Sequence, residues 1–217
     1  MAAGESVRGK MVVLIHGFSR NARDMRVWKS ALENDFDRVV IPNLPMTHGS
    51  AESCMERLRN KIAAAHPEEY AEVYLVGHSM GGLLAREYLQ REKPANVKKL
   101  LCVGTPHHGS LLADILLLIP GMGWIFKPLV YLSTFARKEI TTPEIPGLQI
   151  GSIISSKCRF LPGRIFLRGG SDGVVALSSA HAPDADCEIC VAVPHAGMMF
   201  SPAVSTLIRR FLQTGSF

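Results

Sequence analysis

The sequence predicts an α/β fold: a mainly parallel central sheet with helices on both faces. Three observations carry that prediction. Six short β-rich runs alternate with segments of helical period, as strands joined by crossover helices do. The runs are hydrophobic almost without interruption, which is how strands covered on both faces read. The 217 residues, 47% hydrophobic and 20% charged, are enough to close one sizeable core, so a single domain over residues 1–217 is expected.

The elements follow in order. "MVVLIH" (residues 11–16) is the first strand and runs into a glycine, where the chain must turn. Met25, Trp28 and Leu32 then mark one helix face, and "RVVI" (38–41) is the second strand. Met55, Leu58 and Ile62 mark a second helix, which stops at Pro67. After the strand "VYLVG" (73–77), Leu84, Ala85, Tyr88 and Leu89 share a helix face until Pro94. "KLLCVG" (99–104), "LQIGSII" (148–154) and "CEICVAV" (187–193) complete the strands. "VVAL" (174–177) also reads as strand-like. The last helix is fully signposted: Ser201 caps it, Pro202 suits its first position, and Val204, Leu207, Ile208, Phe211 and Leu212 form its apolar stripe.

Residues 111–135 resist the alternation. They are apolar, yet interrupted by Pro120, Gly121, Gly123 and Pro128. Two readings stay open: a buried core helix, or a small apolar cap over a binding cleft, inserted within residues 111–147.

Composition excludes several classes. The net charge of +5 is dispersed, and no cluster of arginine with aromatics points to a nucleic-acid partner. Such a charge would at most favour transient contact with an anionic membrane surface. The longest uncharged apolar run, residues 115–126, falls short of the roughly 20 residues that span a bilayer. "MAAGESVRGK" lacks the apolar core of a secretory signal, so the expectation is a cytoplasmic protein or a chain whose leader was trimmed. Five scattered cysteines are read as reduced thiols. Cys187 and Cys190 lie three apart in a strand-like run and so face opposite sides, and no metal site is expected.

The chemistry starts at "GHSMGG" (77–82), a Gly-x-Ser-x-Gly pattern between a strand and a helix. A turn that tight holds its serine strained and exposed, with glycines relieving the crowding. Without chemistry, the same turn would pack a helix on a sheet or bind a phosphate at the helix N-terminus. "GGSDG" (169–173) matches the pattern too, but Ser171 is not followed by a helical period. Ser79 is therefore the candidate nucleophile.

A serine hydroxyl needs a base, and the base needs a carboxylate to hold its tautomer. Of eight histidines, His195 in "VAVPHAGMMF" follows the last strand and precedes the last helix, so the sheet delivers it to the end where Ser79 lies. His16 and His78 adjoin other parts of the same site; the rest sit in loops or at a helix end. Asp172, in a glycine-bounded turn between Ser79 and His195, is the candidate acid. Asp184 and Asp186 compete, although "APDAD" reads as a solvated loop. An oxyanion would need two N–H donors: Met80 supplies one at the start of its helix, and Phe18, in the turn "LIHGFS", is assigned the other.

Taken together, "LIHGF", "GHSMGG", "GTPHHGS", "SDGVV" and a histidine before a terminal amphipathic helix resemble the α/β-hydrolase superfamily. The resemblance is to its lipase and esterase branch, in particular small bacterial lipase-like hydrolases, and runs from about residue 11 to 217. It implies a catalytic triad of Ser79, Asp172 and His195, an oxyanion hole of Phe18 and Met80, a small-molecule or lipid ester substrate, and no cofactor. The sequence departs from the family twice. Residues 111–147 are longer and more apolar than in the smallest lidless lipases, and "SSKCRFLPGRIFLRGG" separates the preceding strand from Asp172. Thioesterases, amidases and acyltransferases share this machinery, and a non-catalytic protein could keep the fold to bind a hydrophobic ligand.

Overall fold

The computed structural model describes residues 8–137, 144–167 and 169–217. Its strands are β1 (Arg8–Ile15), β2 (Arg38–Val40), β3 (Tyr70–His78), β4 (Val97–Val103), β5 (Gln149–Ser155) and β6 (Cys187–Val191). They form one parallel sheet in the order β2-β1-β3-β4-β5-β6. Each of the six runs expected to be a strand is one. The edges move because polar residues still pair: Tyr70 and Glu72 extend β3 alongside Arg8 and Lys10 of β1.

The helices are α1 (Arg26–Leu32), α2 (Ala51–Ala63), α3 (Met80–Glu92), α4 (Leu111–Leu117), α5 (Met122–Ile125), α6 (Pro128–Leu132), α7 (Leu161–Phe166), α8 (Leu177–Ala180) and α9 (Pro202–Thr214). Successive strand residues point to opposite faces, so Met11, Val13 and Ile15 enter one core while Val12 and Leu14 enter the other. Met55, Leu58 and Ile62 of α2 close the first core together with α3. Trp28 of α1 and Val204, Ile208 and Phe211 of α9 close the second. The Ser201 hydroxyl accepts the Val204 N–H at 3.4 Å at the start of α9, and Gly215 ends it at φ 83°.

Three local expectations are corrected. Residues 174–177 form no strand. The Asp172 carboxylate takes the N–H groups of Val174 and Val175 at 2.9 and 2.7 Å, which uses up donors a strand would need. A lone bridge from Ser171 to Ala176 remains, and Leu177 opens α8. Residues 111–135 are not one buried helix. Pro120 and the glycines break them into α4, α5 and α6, with Leu118 and Trp124 each 81% exposed while Leu129 and Leu132 pack on the first core. Nor is "APDAD" solvated throughout: Pro183 and Asp186 are exposed, but Asp184 is largely buried. Asp184 binds the buried Arg86 guanidinium through two bonds of 2.6 and 2.8 Å, and Asp186 accepts the Ile150 N–H at 2.7 Å.

No helix among the described residues is long and apolar enough to cross a membrane. The sheet's strand order reverses at β1 and β3, and a crevice opens beyond the carboxyl ends of such strands. Gly17 follows β1 there, and Ser79 follows β3.

Candidate active site

Ser79 sits at φ 53° and ψ −124°, a conformation that costs a non-glycine residue about 1–3 kcal/mol. Its neighbours explain why the sequence spends three glycines here. A Cβ on Gly77 would lie 2.3 Å from the Gly82 nitrogen, one on Gly81 2.3 Å from the Ile15 carbonyl oxygen, and one on Gly82 2.1 Å from the Thr105 hydroxyl. No side chain fits at any of the three, so α3 can start against β1 and the serine is pushed into the crevice.

The turn after β1 meets this elbow. A Cβ on Gly17 would come within 2.9 Å of the Ser79 Cβ. Phe18, next in the chain, lines the same cleft as Ser79. Met80 is the first residue of α3, where backbone N–H groups have no partner within the helix. The two sequence-assigned donors therefore flank the serine, one from each turn.

His195 and Asp172 are brought together from separate loops. His195 Nδ1 lies 2.5 Å from Asp172 Oδ2, while Asp172 Oδ1 receives Val174 and Val175. The His195 N–H also donates to the Asp172 carbonyl oxygen at 3.0 Å. Both residues are buried, and a carboxylate with both oxygens occupied cannot swing away. The helix α7, which falls in the run before Asp172, braces this loop: a Cβ on Gly163 would lie 2.1 Å from the Gly173 carbonyl oxygen. With Nδ1 bound to the acid, Nε2 is the ring nitrogen left for the cleft of about 370 Å³ that both His195 and Ser79 line.

The neighbouring histidines have other work. His16 Nε2 accepts the Leu44 N–H at 3.0 Å, so its Nδ1–H faces the Gly17 carbonyl oxygen at 3.1 Å. His78 Nε2–H donates to the His195 carbonyl oxygen at 3.1 Å, with the two rings 4.8 Å apart. Burial lowers the pKa of His16 and takes that of His78 well below the usual value. His107 is pushed down to about 3, by burial first and the nearby Arg86 charge second. All three are neutral at pH 7, and His16 and His78 hold neighbouring loops through these bonds.

Sequence reasoning missed two features. His78 as a brace for the His195 loop spans 117 positions and leaves no periodic trace. Arg20, in the turn that carries Phe18, also lines the cleft, and its place two residues after Phe18 was the available signal. Among the described residues no three His, Cys, Asp or Glu side chains cluster as metal ligands.

Comparison with known proteins agrees with this architecture. Residues 11–141 match the palmitoyl protein thioesterase family, a span that includes the elbow but ends before Asp172 and His195. A triacylglycerol lipase of Pseudarthrobacter phenanthrenivorans is 30% identical over 115 residues, covering 48% of this chain and 35% of the lipase. The lysosomal thioesterase PPT2 homolog of Drosophila melanogaster is 29% identical over 122 residues, covering 52% of this chain and 41% of its own. The match thus spans about a third of the first of these curated relatives and two fifths of the second. Among solved structures, the mature lipase BlEst2 of Bacillus licheniformis superimposes with a TM-score of 0.73 at 18% identity, over 97% of this chain and 92% of that one, which shows a shared fold. With more than half of its length inside the matched span, the chain belongs to the palmitoyl protein thioesterase family, among the lipase- and esterase-like α/β-hydrolases.

Proposed function

We propose that the protein is a serine hydrolase that cleaves carboxylic esters through an acyl-enzyme on Ser79, with His195 as base and Asp172 as its orienting acid. The observation that carries this reading is the Asp172–His195 contact of 2.5 Å at the cleft lined by the strained Ser79. Ser79 Oγ attacks the ester carbonyl while His195 Nε2 takes its proton, and Asp172 stabilises the resulting imidazolium. The Phe18 and Met80 N–H groups receive the oxyanion. Collapse of the tetrahedral intermediate breaks the ester C–O bond, and the alcohol leaves with the proton from His195. Water then attacks the acyl-enzyme, giving its proton to His195, and the acid departs as Ser79 regains its hydrogen.

A fluorophosphonate probe tests the assignment directly, because it phosphonylates only an activated serine. The expected result is a single adduct, mapped by mass spectrometry to Ser79. Folded protein that takes no label would instead be a non-catalytic binder of a hydrophobic ligand. A thioesterase reading is favoured by the matched family. It predicts higher kcat/KM on an S-acyl substrate than on its O-acyl counterpart.

The segment that carries α4 to α6 supports a lipid substrate. Phe126 of this segment packs edge-on against Phe18, with ring centroids 6.3 Å apart, and stacks on His48 at 5.2 Å, which holds α5 over the β1 turn. Leu132 of α6 lines the cleft itself. Used as a cap, this segment would bury acyl chain, and each added methylene contributes about 0.8 kcal/mol, roughly fourfold in kcat/KM. Over p-nitrophenyl esters from acetate to decanoate, kcat/KM is expected to rise with length; a steady decline beyond acetate would exclude a long-chain pocket. The exposed Leu118, Trp124 and Phe135 would suit the same segment to transient contact with a membrane surface.

A further inference from the structure

Within the cleft, Phe18, Leu132, Val174 and Val175 provide apolar walls, and one permanently charged side chain joins them, Arg20. Four arginines, Arg59, Arg86, Arg91 and Arg209, each meet a carboxylate at 2.5–2.8 Å, and of the arginines without such a partner Arg20 is the one that lines this cleft. Among the described residues no carboxylate comes within ion-pair distance of Arg20. The acid nearest to it in sequence, Asp24, accepts the Asn21 N–H at 3.1 Å in a capping box.

The position of Arg20 is also built. The Arg20 N–H donates to the Gly17 carbonyl oxygen at 3.2 Å, the Ser19 N–H to the Met46 carbonyl oxygen at 3.4 Å, and the Ala22 N–H to Asn43 Oδ1 at 3.3 Å. Ser19 takes a left-handed φ of 54° to make the turn. The chain thus accepts local strain to present residue 20 beside the oxyanion turn. Arg20 and His78 line the same cleft, and the Arg20 charge adds a smaller push to the burial and the neighbouring His195 that keep His78 neutral.

An unneutralised guanidinium in an apolar-walled cleft is a receptor for an anion. Its planar fork matches a phosphate or a carboxylate in two parallel hydrogen bonds. We propose that Arg20 selects esters that carry an anionic group, phosphate or carboxylate, a few bonds from the scissile carbonyl. The proposal rests on the ester-hydrolase reading and narrows it, since a neutral acylglycerol has nothing to give this residue.

Calorimetric titration at pH 8, above the ordinary histidine range, separates the arginine from any imidazolium. Octyl phosphate, octanoate and octanol share one chain and differ in the head alone. The wild-type protein is expected to bind octyl phosphate or octanoate at least about tenfold more tightly than octanol, and the stronger of the two anions names the head group. Arg20→Gln should bring the three close to equal, whereas Arg20→Lys, which keeps the charge without the fork, should retain part of the preference. Equal binding by the wild type, or a preference that survives Arg20→Gln, would overturn the proposal.

Turnover gives a second readout. The kcat/KM ratio of p-nitrophenyl hemisuccinate to p-nitrophenyl butyrate should drop at least about tenfold in Arg20→Gln. An equal loss on both esters would mean that Arg20 only supports the turn. If the wild type cleaves neither ester yet binds octyl phosphate through Arg20, the hydrolase reading fails and the anion site stands.

Discussion

Ser79→Ala is expected to lower turnover of a chromogenic short-chain ester on the order of 10⁶-fold while leaving the protein folded. The size follows from the proposed role: the attacking atom would be removed, leaving substrate binding and the N–H donors proposed at Phe18 and Met80. Alanine is the informative replacement because it keeps the Cβ, so the elbow stays at φ 53° with its surroundings unaltered. Ser79→Gly should be equally inactive but more stable, by about 1 kcal/mol, because glycine adopts this backbone without strain. Steady-state kinetics and urea unfolding of the two variants check both parts. Turnover unchanged in Ser79→Ala would remove the acyl-enzyme mechanism altogether, and a Ser79→Gly protein no more stable than Ser79→Ala would mean that the elbow stores no strain.

Strain kept at the proposed nucleophile is among the features that could be read from the chain in advance. The strands were legible because burial on both faces demands continuous hydrophobicity, and β1 shows it with Met11 to Ile15 all inaccessible to solvent. The elbow was legible because sterics leave glycine as the sole residue at positions 77, 81 and 82. The features that escaped are pairings between distant positions. Arg86 and Asp184 lie 98 residues apart, and nothing local in "APDAD" announces a buried partner. The run "VVAL" has a strand's composition, but the Asp172 side chain captures its backbone donors, and a local hydrogen bond outweighs propensity. Proline and glycine in residues 111–135 signalled breaks, not which face each short helix would bury; packing of Leu129 and Leu132 decides that.

The same buried histidines that frame the site should make the protein acid-labile. His16, His78 and His107 are all held neutral in the folded chain, each chiefly by burial. In the unfolded chain a histidine takes up a proton near pH 6.5. Below that value the unfolded state binds more protons than the folded one, so stability is complete at neutral pH and is lost as pH falls. For His107 the loss continues down to its folded value of about 3. Each histidine contributes a slope of up to about 1.4 kcal/mol per pH unit, but only between its unfolded and its folded value. Set against a typical total of about 5–15 kcal/mol, slopes of that size weaken the fold markedly as the pH falls. The geometry gives the reason protonation is resisted: a second proton on His16 would turn its Nε2 against the Leu44 N–H, donor facing donor. At His107 it would add a charge near the Arg86 guanidinium, with both ring nitrogens buried and unpartnered among the described residues. Urea unfolding at pH 7, 6 and 5 should show the free energy dropping at each step, and His107→Gln should make the slope shallower. A stability flat across that range would mean that these rings charge as easily inside the fold as outside it.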